Sequence, residues 1–331
     1  MQKFMKRALC VLICALLLAS LALSALAGSI ELLNTEKKCS LTVVYEDDGT
    51  AVSGAPFALY RVADVNEKVD VFTLAGQFAK YTNIDVSNTK NSNSEWLIIA
   101  KMLADYATAD GLTADKTGNT NTDGKLTFSE LDAGMYLVVG ESYVVGKTRY
   151  LATPYLLVLP NRSQSDYTLN YDLTSNVKFT KQTVLPDLPS HKDTTDRKVL
   201  KVWNDNDNSD DRPNEITVHL LCDGEVFDTV TLNEKNHWRH EWNKLSIYNK
   251  HGYSIRWTVT EEPVEGYTTL ISEEGITSVI TNTREMPTPA EVVPDSTLPQ
   301  TGLLWWPVLV LFAAGMVILM VGVVVSRKKK A

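Results

Sequence analysis

The sequence predicts a mainly β protein: two tandem β-sandwich domains, the first with an inserted helix, and a transmembrane helix at the carboxyl end. Three observations carry this expectation. Short runs rich in β-branched and aromatic residues recur between turn-forming segments, the stretch 94–107 breaks that rhythm with helical spacing, and one late uncharged run is long enough to cross a bilayer.

The two ends of the chain bound the rest. Lys3, Lys6 and Arg7 precede an apolar run from Ala8 to Leu23, and Ala25-Leu26-Ala27 places small residues where a signal peptidase reads them. Residues 1–27 are expected to be a cleaved signal peptide rather than a retained anchor, which makes the mature chain an exported one. Of the four cysteines, Cys10 and Cys14 leave with that peptide; Cys39 and Cys222 are too far apart in sequence to suggest a disulfide framework, and neither has a catalytic partner. A net charge of -8 over 331 residues argues against nucleic acid as the main partner, since a phosphate backbone rewards a basic face.

At the other end, Leu303 to Val325 carries no charged residue and Arg327-Lys328-Lys329-Lys330 follows, so residues 303–325 are expected to span a membrane with tail 326–331 in the cytoplasm. Leu298-Pro299-Gln300-Thr301-Gly302 stands at the outer boundary. Motif, span and basic tail in this order resemble the cell-wall sorting signal of Gram-positive surface proteins. The resemblance implies that the cysteine of a membrane-bound sortase attacks the Thr301 carbonyl, releases Gly302 onward, and passes the chain to an amine of a peptidoglycan precursor or of another pilin subunit. Pro299 enforces an extended or kinked approach, and Gly302 leaves the nucleophile unobstructed. Thr301 is then a substrate residue, the membrane is occupied only before sorting, and the final location is the cell wall. A plain single-pass membrane protein is the other reading.

Between the ends, residues 180–197 are polar, hold two prolines and lack periodicity, as an interdomain linker would; 285–297, with three prolines, read as a stiff stalk. Residues 198–284 contain "VLKVW", "ITVHLLC", "FDTVTL", "HWRHEW", "YSIRWTVTE" and "TSVITN", the spacing of an antiparallel, immunoglobulin-like β-sandwich. Strand alternation places Val199, Lys201 and Trp203 on one face, Ile255, Trp257, Val259 and Glu261 on another, and Ile276, Ser278, Ile280 and Asn282 on a third. A lysine, a glutamate and an asparagine thus sit where apolar side chains belong.

Burying those groups costs several kcal/mol apiece, roughly, unless they are paired. A buried ion pair with an amide partner is one solution. The other is covalent: desolvation favours a neutral Lys201 amine and a protonated Glu261 carboxyl, so the amine could attack the Asn282 carbonyl while Glu261 shuttles protons and ammonia leaves. "LKVWND", "RPNEITVHLL", "WTVTEE" and "VITNTR", in that order, resemble the collagen-adhesin B-type domain of Gram-positive surface proteins and pilins, which implies an intramolecular isopeptide bond. Lys201 and Asn282 would be the linked residues and Glu261 the catalytic acid. Lys198 and Glu262 face the opposite way and are expected to be solvated. The acidic stretch Asn204 to Asp211 lacks the glycine turn and bidentate glutamate of an EF-hand and reads as a solvated loop. His237 and His240 point to opposite faces of an expected strand, so no metal site is expected.

Residues 28–179 mix strands with the helix 94–107, on which Trp96, Ile99, Leu103 and Tyr106 recur at helical spacing. "SGAPFALYRV" with "GKLTFSELDAGMYLVVGE" resembles the pilin-type, prealbumin-like domain of sortase-assembled fimbrial subunits. This sequence departs from that pattern: Val44 or Tyr45 stands where the lysine would be, and Gly140 where the acid would be, with Glu141 one step late. No isopeptide bond is expected here. "YDLTSNVK" resembles the segment carrying the polymerising lysine of backbone pilins and puts Lys178 at that position, without the Tyr-Pro that precedes it in that family; an ordinary solvated lysine at a strand end is the other reading. The whole implies a wall-anchored structural protein, a minor or basal pilin subunit or an adhesin with a host extracellular-matrix ligand, needing no cofactor. A surface-anchored ligand-binding or hydrolytic enzyme is the alternative, unsupported by any nucleophile, metal or phosphate motif.

Overall fold

A computed structural model describes residues 31–87, 91–163, 165, 167–183, 193–206 and 212–284. The expected signal peptide, stalk, sorting motif Leu298–Gly302, span and basic tail lie outside the described residues. Among the described residues no helix is long and apolar enough to cross a membrane. The chain falls into the units Met1–Arg284 and Glu285–Ala331, and every described residue belongs to the first.

The N-terminal β half begins with β1 (Cys39–Val44), β2 (Glu46–Asp47), β3 (Thr50–Ala51), β4 (Pro56–Val65) and β5 (Phe72–Leu74), followed by the helix α1 (Asn93–Ala109). It continues with β6 (Lys116–Asn119), β7 (Lys125–Leu131), β8 (Gly134–Gly140), β9 (Tyr143–Val145), β10 (Thr148–Ala152) and β11 (Tyr155–Leu159). The short β12 (Asn161–Arg162) and β13 (Leu169–Asn170) lead to β14 (Asp172–Asn176) and β15 (Phe179–Thr183). The C-terminal β half holds β16 (Thr194–Asn204), β17 (Glu215–Cys222), β18 (Glu225–Asn233), β19 (Arg239–Ser246), β20 (Trp257–Glu261), β21 (Thr268–Glu274) and β22 (Thr277–Thr283).

In the C-terminal half two sheets face each other, one ordered β19-β16-β22-β21 and the other β18-β17-β20. The sequence expectation of an antiparallel sandwich needs one correction: β16 and β22, first and last, pair in parallel, with Lys201 opposite Ile280 and Trp203 opposite Asn282. The N-terminal half repeats the device, β1 pairing in parallel with β14 and antiparallel with β7. Its larger sheet runs β11-β8-β4-β5, with β6 also on β4.

Four local expectations are also corrected. The linker read over 180–197 is strand at both ends, β15 running to Thr183 and β16 starting at Thr194. Ile276 does not join its expected face; it sits in the Gly275 turn before β22, 42% exposed. Ile255 precedes β20 rather than lying in it. His237 is not on a strand but caps the short 3-10 turn Glu234–Asn236 in the left-handed region. Among the described residues the two cysteines are free thiols, Cys39 buried and Cys222 half-buried.

Helix α1 starts one residue earlier than its apolar spacing alone suggests, because Ser92 caps it. The Ser92 hydroxyl accepts from the Glu95 amide while the Glu95 carboxylate accepts from the Ser92 amide, a reciprocal capping box. Over its last turns the helix is buried on nearly every side: Met102, Leu103, Ala104, Asp105, Tyr106 and Ala107 are all at 6% exposure or less. A one-sided stripe would bury only Ile99, Leu103 and Tyr106. The additional burial arises because α1 packs on β8 and β11 of its own half and on β18, β20 and β21 of the other. Its apolar residues join one core with Val218, Leu220, Trp257, Val259 and Ile271. Asp105 is paired with Arg256 at 2.5 Å, and the Asp223-Gly224 turn, with φ of +52° and +97°, lies so close to Thr108 that a Cβ on Gly224 would meet it at 2.8 Å.

A second core fills the N-terminal half around Leu41, Val43, Phe57, Leu59 and Val138. Tyr45 is at 0% exposure, with Phe57 and Phe179 edge-on at 5.5 and 5.3 Å, and its hydroxyl has no hydrogen-bond partner. At Gly140 a Cβ would meet Ala152 at 2.6 Å and Phe57 at 2.7 Å, so no carboxylate side chain fits there, and Glu141 is exposed.

Two stability measurements follow. Leu103→Ala, a buried truncation in the shared core, is expected to cost about 3 kcal/mol in chemical denaturation. Tyr45→Phe removes a buried unpaired hydroxyl and should leave the melting temperature unchanged or raise it, against the usual trend for core substitutions.

Candidate functional site

The chemistry-bearing groups converge inside the C-terminal half. Lys201 on β16 and Asn282 on β22 lie on neighbouring strands of one sheet and, two register positions apart, project to the same interior face. Glu261, at the end of β20, reaches them from the facing sheet. Its Oε1 is 3.2 Å from Lys201 Nζ, and neither side chain has any exposure to solvent. Asn282 Nδ2 donates to the same Oε1 at 3.2 Å. The Lys201 amine, 4.4 Å above the Trp203 ring, is close to the carboxyl but not aligned to donate a hydrogen bond to it.

Thr269 on β21 completes the set. Its Oγ1 is 2.8 Å from Glu261 Oε2 and 2.9 Å from Asn282 Oδ1. A hydroxyl has a single hydrogen, so it can donate to only one of these two oxygens. Both contacts are satisfied when Glu261 carries a proton on Oε2: that proton is donated to Thr269 Oγ1, and Thr269 donates to Asn282 Oδ1. The hydrogen-bond count therefore favours a neutral acid, and it polarises the amide carbonyl.

Electrostatics agree. Burial holds the Lys201 amine down at about 8, outweighing the pull of the neighbouring Glu261, and burial pushes the Glu261 carboxyl above its ordinary range, outweighing Lys201 and its hydrogen bonds to Thr269 and Asn282. Moving one proton from lysine to glutamate turns an ion pair that burial disfavours into a neutral pair of the same total charge. A neutral amine, an amide polarised at its oxygen and a carboxyl beside the amide nitrogen are the groups that transamidation needs. In such an exchange, attack of Nζ on Cγ would form one C–N bond, and loss of Nδ2 as ammonia, protonated through Glu261, would break the other.

The surrounding residues separate from this set. The stretch 204–211, read as a solvated loop, is corrected at Asp205, while 207–211 lie outside the described residues: Asp205 is 2% exposed and held by Arg212 through two contacts of 2.6 and 2.7 Å and by the Tyr267 hydroxyl at 3.1 Å. The Arg212 guanidinium keeps its carboxyl below the usual range. It therefore serves an internal cation, and among the described residues no cluster of three or more His, Cys, Asp or Glu could hold a metal ion. Lys198 pairs with Glu241 at 3.4 Å on the outer face, and Glu262 is 60% exposed beside His219. Lys178 is exposed in the two-residue link between β14 and β15, and its carbonyl accepts from the Thr153 amide. Sequence patterning missed Thr269. The signal was present, since Tyr267, Thr269 and Ile271 alternate on one buried face and the middle one is polar.

Residues 197–283 match the Cna protein B-type domain. The collagen adhesin of Staphylococcus aureus is 40% identical over 90 residues, covering 27% of this chain and 8% of that protein, so the chain spans less than a tenth of that relative's length. Among solved structures, a single B repeat unit of the collagen-binding protein of Staphylococcus aureus aligns at 21% identity over 75% of this chain and 97% of its own, with a TM-score of 0.27. The shaft pilin SpaA of Lactobacillus rhamnosus GG aligns at 14% identity over 76% and 100%, TM-score 0.26. The major pilin SpaD of Corynebacterium diphtheriae aligns at 15% over 76% and 65%, TM-score 0.28. The B-type match contains Lys201, Glu261, Thr269 and Asn282, all four groups of the buried site.

Thr269→Val keeps the side-chain volume but removes the shared hydroxyl. It is expected to destabilise the fold by about 1–3 kcal/mol, read by denaturant titration, because two buried oxygens lose a partner.

Proposed function

We propose that this chain is a structural protein of a Gram-positive cell surface, a pilus component or an adhesin, whose B-type half is stabilised by an isopeptide bond between Lys201 and Asn282. The observation that carries the proposal is the fully buried constellation of Lys201, Glu261, Thr269 and Asn282, where charge, hydrogen count and position all suit amide exchange. The resulting bond would close a loop over the 80 residues 202–281 that lie between the two positions. By the loop-closure relation a cross-link of that length restricts the unfolded chain by roughly 4–5 kcal/mol.

The ends of the chain supply the surface part of this reading. Export through the signal peptide 1–27, arrest by the span 303–325 and transfer of Thr301 to an amine would make sortase the first partner, and a peptidoglycan precursor or another pilin subunit the second. Lys178, exposed and flanked by strands, is the amine this chain itself would offer to a neighbouring subunit. A matrix ligand is the partner an adhesin would add.

Intact mass tests the internal bond: a deficit of about 17 Da, one ammonia, is expected in the wild type and absent in Lys201→Met and Asn282→Ala. A wild type at its full calculated mass overturns the cross-link. Denaturing gels of wall extracts test the anchoring. Wall-bound material that vanishes in Thr301→Ala supports sorting, and wall release unaffected by that change rejects it; a high-mass ladder lost in Lys178→Ala marks polymerisation through that lysine.

A further inference from the structure

The acid of the buried site belongs to a different sheet from the amine and the amide. Its position depends on what holds β20 against β21, and both are edge strands: β20 ends the sheet β18-β17-β20, and β21 ends the sheet β19-β16-β22-β21. Edge strands leave unpaired backbone groups on their outer side. Here those groups are taken by the N-terminal half. The Tyr106 hydroxyl, from α1, donates to the main-chain carbonyl of Glu261 at 2.5 Å. The Thr269 amide donates to the main-chain carbonyl of Asn83 at 2.6 Å. Asn83 Nδ2 in turn donates to the Tyr106 hydroxyl at 3.3 Å. The Tyr106 side chain and the Asn83 main chain, joined to each other through Asn83 Nδ2, thus bridge the open side of the sandwich at the two residues, Glu261 and Thr269, that handle protons in the site.

Neither bridge residue lies in the segment that resembles a B-type domain. Asn83 is at 0% exposure and Tyr106 at 4%, both buried among apolar groups where a polar side chain is costly without a purpose. Asn83 Oδ1 has no partner at all. The neighbouring Asp105–Arg256 pair, and Arg149 donating to the Ser254 carbonyl at 3.0 Å, tie the same two halves together.

We propose that the N-terminal half completes the cross-linking site of the C-terminal half, with Tyr106 and Asn83 acting as positioning residues that fix Glu261 against Lys201 and close the open edge to water. This rests on the isopeptide reading given above. In consequence the bond forms after α1 has docked, so that covalent locking of one half reports the folding of the other. The step itself is unchanged: Nζ–Cγ forms, Cγ–Nδ2 breaks, and ammonia leaves with a proton passed through Glu261. The charged and titratable groups facing the reacting amine are Glu261 and Asp205, the latter held by Arg212, and the one facing Glu261 from the helix is Tyr106.

The test is the rate of cross-link formation in the full chain, made by cell-free synthesis at low pH, transferred to a series of buffers, and followed by the loss of about 17 Da. The wild-type rate is expected to rise as Lys201 loses its proton near pH 8. Tyr106→Phe is expected to slow the reaction on the order of tenfold to a hundredfold, and to move the rising limb to higher pH because water admitted at the edge restores the ordinary basicity of the amine. A merely structural loss would scale the rate equally at every pH. Asn83→Ala, which leaves the Tyr106 bond to Glu261 in place, is expected to shift the profile the same way by less, and it carries the test if Tyr106→Phe does not give a folded near-ultraviolet dichroism spectrum. A wild type that never loses the 17 Da overturns both proposals. A wild type that does, with variants matching its rate and pH profile, overturns this one alone.

Discussion

A lysine and a glutamate with no solvent exposure, 3.2 Å apart, set the terms for the C-terminal half of this molecule. Held as ions they would each cost several kcal/mol of lost hydration, roughly, recovered only in part by their attraction. Transfer of one proton removes both charges. The neighbours then read as a solution to that neutral state: the Trp203 ring lies against the amine, Thr269 passes a hydrogen toward Asn282, and the Asn282 amide turns its nitrogen to the acid.

The parallel pairing of β16 with β22 follows the same logic. In an all-antiparallel sheet the first and last strands need not be neighbours, and here their adjacency puts Lys201 and Asn282 on one face within a two-residue offset. It also puts the entry and exit of the half at opposite ends of the paired strands, so tension applied along the chain loads those strands in shear. A covalent link between them would let force pass from β16 to β22 while the intervening residues 202–281 carry none of it.

Helix α1 joins two roles that are often separate. It fills the core of its own half and covers the edge of the next, which explains why nearly all sides of its last turns are buried and why both β halves fall in one unit. The cost is a set of buried polar groups, Asn83, Asp105 and Tyr106, each placed where an edge strand or a cation needs a partner. At the corresponding positions of the N-terminal half, Tyr45 is packed among aromatic rings and Gly140 has no room for a side chain.

By itself the sequence determined the β character, the helix, and the faces on which Lys201, Glu261 and Asn282 lie, because strand alternation has a period of two and needs no knowledge of partners. It also showed the order of motifs at the carboxyl end, which is a linear property. Tertiary structure alone decided which strands became neighbours, and so the parallel pairing that corrects the antiparallel expectation. It decided that Thr269, an unremarkable threonine in sequence, shares its hydroxyl between two members of the site, and that Tyr106 meets the Glu261 carbonyl 155 positions away. Contacts of that kind depend on how two sheets and a helix close over one another, and no local pattern in a chain encodes the partner of an edge strand.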